Sequence, residues 1–131
     1  MTSCSLSIRI ERWPLAAPFQ ITGYLIDTAK VVIVTIADAH HEGVGEAAGV
    51  FYLGETPESI VAQIESVRPS IERGITRAQL LALLPSGGAR NAVDAALWAL
   101  ESKREALPVW HIAQLPPPRP LLTTMTIGVD T

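Results

Sequence analysis

Cysteine, net charge and long apolar runs are all scarce in this sequence, and each scarcity excludes a class of protein. Cys4 is the only cysteine, so an internal disulfide is impossible and we expect a protein of the reducing cytoplasm. The formal net charge is only −3 and no basic cluster occurs, so we expect no nucleic-acid partner. The longest apolar run, residues 31–36, is far too short to span a membrane, and the charged residues 1–12 are unlike a signal peptide.

Apolar residues, in contrast, are abundant. They make up 48% of the 131 residues, against 18% charged residues, which is typical of a globular chain with a buried core. The length suits one domain and is too short for two of normal size.

The beginning of the sequence favours a β-strand. Leu6, Ile8 and Ile10 alternate with polar residues, which is the period of a half-buried strand. Pro14 follows Trp13 and predicts the end of this strand. Residues 15–28 show no regular period, so we expect a long excursion there, with extended backbone at most at its edges.

Two further strands are predicted after this excursion. Residues 31–36 are almost continuously apolar and β-branched, which indicates a strand in the centre of a sheet. Residues 38–42 are polar and predict a turn, and residues 44–47 predict the next strand. Together with the first strand, this order favours a three-stranded antiparallel meander.

The remainder of the chain has the signals of helices. Thr56 and Pro57 predict the start of a helix, and the helical spacing of apolar residues continues to residue 71. Pro69 predicts a kink in this helix and Gly74 predicts its end.

Further helices are predicted in the later segments. Residues 76–84 predict a short helix, residues 89–103 a longer one with many alanines, and residues 108–115 one or two further turns. Residues 116–118 are a proline spacer, and residues 121–129 are strand-like. Strands followed by helices predict an α+β domain, a class that hosts many functions.

Three motifs, in the same order along the chain, resemble the enolase superfamily. Residues 43–46, Gly-Val-Gly-Glu, are similar to the G-x-G-E that ends the family's third strand. Residues 89–98 are similar to its A-x-x-A-[IVL]-[DE]-x-A-L-W helix, and residues 122–128 resemble the first strand of its barrel. The resemblance is to the mandelate racemase/muconate-lactonizing subgroup, and residues 76–90 are most similar to its dipeptide epimerases of the L-Ala-D/L-Glu type.

This resemblance implies a domain organisation. Residues 1–115 would be the N-terminal capping domain, a three-stranded antiparallel meander followed by a bundle of three to four helices. Residues 116–131 would be a linker and the first strand of an otherwise absent (β/α)8 barrel, which needs roughly 200 residues or more.

The resemblance also implies a chemistry. Such enzymes abstract a proton α to a carboxylate and hold the enolate on Mg²⁺. The lysine acid–base pair and the metal carboxylates belong to the barrel, and this sequence contains no Lys-x-Lys. We therefore expect the chain to be inactive alone, whether it is an expressed fragment or the product of a truncated gene, and to meet its dipeptide or other carboxylate substrate only with a barrel present.

Other functions remain open at this point. A muconate cycloisomerase or an o-succinylbenzoate synthase belongs to the same subgroup, and a free-standing binding module of a different class would use the same scaffold without chemistry. The last strand would lack neighbours here, so we expect it to be disordered or to pair with a second chain, which gives a route to self-association. No membrane partner is expected.

Residues 18–28 match the first capping loop of the enzymes that this chain resembles. In those enzymes this loop contacts the distal part of the substrate. Glutamate-specific epimerases have an arginine where this chain has Gly23, and none is nearby in this sequence. Tyr24, Leu25 and Ile26 therefore point to an apolar distal pocket, unless they only pack beneath the loop.

Four further residues complete the candidate substrate-binding set. Phe51 and Tyr52, on the second capping loop, residues 47–54, are either a substrate wall or core residues. Thr124 and Thr126 share one face of the last strand, and Thr126 matches a family threonine near the substrate.

Several other residues have simpler interpretations. Glu46 is expected to be structural or to anchor the loop. His40 and His41 are expected to be surface residues: neighbours on a strand cannot easily share a metal ion, whereas in a turn they could. Asp94 is expected to be a buried polar tie with Arg90 as its partner.

Overall fold

The computed structural model describes residues 3–21 and 23–125, and it confirms the predicted α+β class. Three strands form one antiparallel sheet in the order β1-β2-β3. Their bounds are β1 Ser5–Ile21, β2 Tyr24–Ala37 and β3 Glu42–Ala47. The helices that follow are α1 Pro57–Ser66, α2 Arg68–Glu72, α3 Arg77–Leu83, α4 Gly88–Glu105 and α5 Val109–Ile112, and a 3-10 turn covers Phe51–Leu53.

The predicted excursion over residues 15–28 is wrong, because β1 and β2 form one long hairpin through this segment. Pro14 pairs with Thr28, and Phe19 pairs with Ile26 after a shift of register between them. Such an irregularity absorbs extra residues, which lets proline occupy a strand that it would otherwise end. The hairpin therefore projects beyond β3, which pairs with β2 only from Val32 onwards.

The core lies between the sheet and the helices. Val32, Val34 and Ile36 on β2 are fully buried, as are Ile60 and Ile64 on α1. Alternation on the strand and helical spacing on α1 each direct one apolar face inwards, and the two faces pack together.

The predicted helix starts are confirmed by their capping geometry. Thr56 accepts a hydrogen bond from the backbone N–H of Ser59, and Thr76 accepts one from that of Gln79. In both cases the third residue bonds back to the capping N–H, which completes a capping box. The predicted interruption near Pro69 is seen as the break between α1 and α2.

The strand β3 packs directly on the backbone of α4. A Cβ on Gly43 would lie 2.0 Å from the carbonyl oxygen of Ala96, and one on Gly45 would lie 2.0 Å from that of Ala92. Both alanines are fully buried. The glycines of the Gly-Val-Gly-Glu motif on β3 and the alanines of the α4 motif therefore pack on each other, and this contact holds α4 against the sheet.

The turn between β2 and β3 is held by Asp38. Its Oδ1 accepts hydrogen bonds from the backbone N–H groups of His40 and His41, both at 2.8 Å, and the Arg104 Nε donates to its Oδ2 at 2.7 Å. The His40 N–H, the Arg104 guanidinium and the His41 N–H together hold the pKa of the Asp38 carboxyl well below its usual range.

We expect Asp38→Asn to lower stability at neutral pH. The pKa of Asp38 is lower in the folded state than in the unfolded state. The ionised carboxylate therefore stabilises the fold fully above the ordinary pKa of an aspartate, about 4. This stabilisation is lost as the pH falls from there through the pKa of the folded state. The difference in urea midpoint between the wild type and the variant should therefore be largest at pH 7 and shrink below about pH 4. A difference that stays constant from pH 7 to pH 2 would contradict this assignment.

One other expectation is not met by the structure, and one is not tested by it. Arg90 donates to the Ser86 hydroxyl instead of to Asp94, which is only half-buried, so the predicted buried tie is wrong. Residues 116–125 contain neither helix nor strand and are exposed, so no strand is seen at residues 121–125. A strand needs ladder partners for its backbone groups, and this one was expected only beside a barrel or a second chain, so the prediction is not contradicted. The remainder of the predicted strand, with Thr126, lies outside the described residues.

Candidate functional site

Two loops meet at the end of the sheet where the β1–β2 hairpin projects. The first is the hairpin tip, residues 23–26, and the second is the second capping loop of residues 47–54. The rings of Tyr24 and Phe51 lie 4.6 Å apart between centroids, and the Phe51 and Tyr52 rings are 5.3 Å apart and nearly perpendicular. These are favourable aromatic geometries, so the three rings form one contiguous group, here called the ring cluster.

The ring cluster is largely open to solvent. Tyr52 is 74% exposed, Tyr24 is 52% exposed and Phe51 is 50% exposed. Leu25 is 67% exposed, whereas Ile26 is half-buried. Core packing therefore does not explain the ring cluster and Leu25, and large apolar groups exposed together commonly mark a contact surface.

Glycines shape the second capping loop. Gly49 and Gly54 both have φ of +78°, a conformation that favours glycine. The 3-10 turn between these glycines carries the exposed rings of Phe51 and Tyr52. The Gly54 N–H donates a hydrogen bond of 3.0 Å to the Phe51 carbonyl and so closes the turn.

Glu55, which the sequence did not single out, fixes this loop to α4. Its Oε2 accepts a hydrogen bond from the Val50 N–H at 2.9 Å, and its Oε1 accepts one from the Gly88 N–H at 2.7 Å. Glu46, which was expected to be structural, has an exposed side chain, although its backbone carbonyl accepts from the Asn91 side chain. An acidic residue before a helix cap is common, so no local sequence signal marks Glu55.

Two grooves flank the second capping loop. One, of about 650 Å³, runs between the loop and the start of α4 and is lined by residues that include Val50, Leu53 and Glu55. The other, of about 590 Å³, separates Phe51 from the free edge of β2 at Leu25 and Ile26. Thr124 is exposed and lines neither groove.

Metal-binding side chains are not clustered in the part of the chain that the structure describes. Across residues 3–21 and 23–125, no set of three or more His, Cys, Asp or Glu side chains is placed to hold a metal ion. His40 and His41 accordingly belong to no metal cluster in this part of the chain. The described residues therefore do not fit a Mg²⁺ site. Separately, no helix among them is long and apolar enough to cross a membrane.

The fold and these loops agree with a family comparison. The family described as "Mandelate racemase / muconate lactonizing enzyme, N-terminal domain" matches residues 3–113. The chain belongs to this family. It is an N-terminal capping domain of the enolase superfamily, as the motifs indicated.

Relatives of the capping domain are epimerases. The L-Ala-D/L-Glu epimerase of Escherichia coli (strain K12) is 37% identical over 121 residues, which are 92% of this chain and 38% of that protein. An enolase family member from Agrobacterium tumefaciens with homology to dipeptide epimerases, solved with sodium, L-Ala-L-Glu and an ordered loop, has a TM-score of 0.91 at 35% identity, covering 97% of this chain and 39% of that one.

A third relative was solved with a different dipeptide. The dipeptide epimerase from Methylococcus capsulatus, complexed with Mg and L-Arg-D-Lys, has a TM-score of 0.74 at 29% identity, covering 86% of this chain and 34% of that one. The capping domain thus spans less than two fifths of the length of these relatives.

Proposed function

We propose that this capping domain reads the distal part of a dipeptide for an isomerase that epimerises it, and that the preferred distal group is apolar rather than acidic. The observation that carries the proposal is the ring cluster, which is exposed across two adjoining loops. Structures that superpose on this chain include a dipeptide epimerase and an enolase family member with homology to dipeptide epimerases, and these two were solved with dipeptides of opposite side-chain charge. The scaffold is therefore compatible with several distal groups, and the loops would choose among them.

The preference for an apolar distal group follows from the side chains at the hairpin tip. Gly23 stands where the resemblance to glutamate-specific epimerases leads us to expect an arginine, and Tyr24, Leu25 and Ile26 follow it. A distal carboxylate packed against these three side chains would lose hydration without gaining an ionic partner among them, which is costly. An apolar distal side chain would instead bury its surface against the rings, a favourable transfer.

The cap contributes binding and shielding to the reaction. A Mg²⁺ ion, whose ligands would come from a barrel, would supply charge stabilisation for the proton abstraction. The residues of this chain would orient the distal side chain and exclude water over the reacting carbon. Alone, the chain is expected to be inactive.

Residues 116–131 would lead from the cap into such a barrel. Thr124 and Thr126 would then stand on one face of its first strand, and Thr126 would approach the substrate. Residues 1–115 would constitute the cap itself.

A chimaera tests the proposal. The matched 121 residues of the E. coli epimerase are replaced by those of this chain, so that an established barrel supplies the chemistry. We expect epimerisation of L-Ala-L-Leu to be favoured over that of L-Ala-L-Glu by about ten- to hundredfold in kcat/KM, the equivalent of burying one aliphatic side chain. Epimerisation is followed by chiral chromatography of the products.

Two controls make the chimaera decisive. The parent E. coli epimerase is assayed with the same dipeptides, and a second chimaera carries only residues 19–26 and 47–54 of this chain, in case the full exchange does not fold. A loop chimaera that keeps the parent preference for L-Ala-L-Glu would contradict the proposed distal group. Binding of either dipeptide to the isolated 131-residue chain would favour a free-standing binding module instead.

A further inference from the structure

Glu55 joins two elements that are distant in sequence. Its two carboxylate oxygens accept one backbone N–H each, from Val50 at 2.9 Å and from Gly88 at 2.7 Å. A carboxylate that accepts backbone hydrogen bonds forms charge-assisted contacts, which are shorter and stronger than neutral ones. The second capping loop is thereby tied to the first residue of α4.

The α4 end of this tie is built to receive a carboxylate. Gly88 is the first residue of an 18-residue helix, so its N–H has no partner within the helix and lies at the positive end of the helix dipole. The preceding Gly87 has φ of +151°, and a Cβ there would lie 2.6 Å from the Glu55 Oε1. A bare backbone at Gly87 is thus needed for the carboxylate to reach α4.

The loop end of the tie controls the aromatic residues. The Val50 carbonyl accepts hydrogen bonds from the Leu53 N–H at 2.9 Å and the Glu55 N–H at 3.3 Å, so Val50 closes the turn that carries Phe51 and Tyr52. Because β3 packs on the α4 backbone through Gly45, α4 is a fixed support. The position of Val50 relative to α4 therefore sets where the rings stand.

We propose that Glu55 is the positioning residue of the second capping loop: its carboxylate fixes Val50 to the start of α4 and so places Phe51 and Tyr52 against Tyr24. The role in substrate choice rests on the proposed function, because only then do the rings touch a substrate. The positioning itself is a property of the 131-residue chain and is measurable without one.

The test is Glu55→Gln in the 131-residue chain, studied by NMR. Glutamine has the same shape but one acceptor oxygen, so one of the two N–H groups faces an amide donor. We expect amide exchange at Val50 or Gly88 to accelerate roughly ten- to hundredfold, the loss of one hydrogen bond to a charged group. Cross-relaxation between the Tyr24 and Phe51 rings, 4.6 Å apart in the wild type, should weaken.

The matched control is Glu58→Gln, which makes the same change of charge three residues away, on an exposed side chain. It should leave both amides and the ring contact unchanged. Glu55→Asp keeps the charge but is one methylene too short to reach both groups, and it should reproduce the loosening if Glu55→Gln does not fold. Wild-type exchange and ring contact in either folded Glu55 variant would overturn the proposal.

A second measurement separates this proposal from the proposed function. In the chimaera, Glu55→Gln should raise the KM for the preferred dipeptide about tenfold with little change in kcat, as expected when binding shared by ground and transition states is lost. If the loop loosens in the NMR experiment while KM stays constant, Glu55 positions the loop, but the loop does not read the substrate. The part of the proposed function that rests on the second capping loop would then be wrong, and the positioning role would be supported.

Discussion

Gly45→Ala is expected to destabilise the capping domain by about 3 kcal/mol or more, since overpacking of a tight contact costs 1–3 kcal/mol and occasionally more. The added Cβ would stand 2.0 Å from the Ala92 carbonyl oxygen and 2.7 Å from the Ala96 backbone nitrogen. Backbone atoms of α4 cannot rotate away as a flexible side chain does, so β3 and α4 must separate. Urea unfolding of the 131-residue chain, followed by circular dichroism, measures the loss.

Gly54→Ala is the control for this substitution. Gly54 has φ of +78° and no atom within 4 Å of an added Cβ, so alanine there meets only backbone strain, which costs about 1 kcal/mol. Gly45 has no such positive φ, so its cost must come from the contact with α4. A Gly45→Ala variant that is no less stable than Gly54→Ala would show that the β3–α4 contact yields easily.

Local signals were sufficient for much of the fold. The two capping boxes at Thr56 and Thr76 are written in four-residue segments, and the alternation of the first strand and the β-branched run of β2 are equally local. The Gly-x-Gly motif and the alanines of α4 are visible in the sequence, but only the structure shows that they meet each other. Features set by neighbouring residues were thus accessible from the sequence.

Features that depend on distant pairing were not accessible in the same way. Residues 15–21 have no strand period, and they are extended because β2 provides their hydrogen-bond partners. Arg90 and Asp94 lie one helical turn apart, which suggested a polar tie between them. The Arg90 side chain instead donates a hydrogen bond to the Ser86 hydroxyl, just before α4 begins. Glu55 lies 33 residues from Gly88, and nothing in its surroundings indicates that bond.

The candidate site shows the same division. Composition and resemblance identified the aromatic and aliphatic side chains of the two loops, and the structure brings Tyr24 and Phe51 together. The selection of these residues for substrate contact remains a prediction. The missing arginine at Gly23 gives the sharpest way to test it, because a single substitution can supply that group.

Gly23→Arg is expected to shift the chimaera towards L-Ala-L-Glu by about ten- to hundredfold in the ratio of kcat/KM values for the two dipeptides, which is the effect of one charge-assisted contact in a partly desolvated site. The hairpin tip can accept the side chain, because no atom lies within 4 Å of an added Cβ at Gly23. The φ of +80° adds strain of about 1–2 kcal/mol at an exposed turn, which lowers stability without altering the core.

Gly23→Gln separates the charge from this strain. Glutamine carries the same backbone penalty and a long polar side chain, but it cannot form an ion pair with the distal carboxylate. Salt provides a second criterion, since the Arg-dependent gain should decrease as ionic strength rises, whereas a change of loop conformation should not respond. Equal preferences in the Arg and Gln variants would mean that the hairpin tip does not face the distal group, and the apolar preference would then have to come from the second capping loop alone.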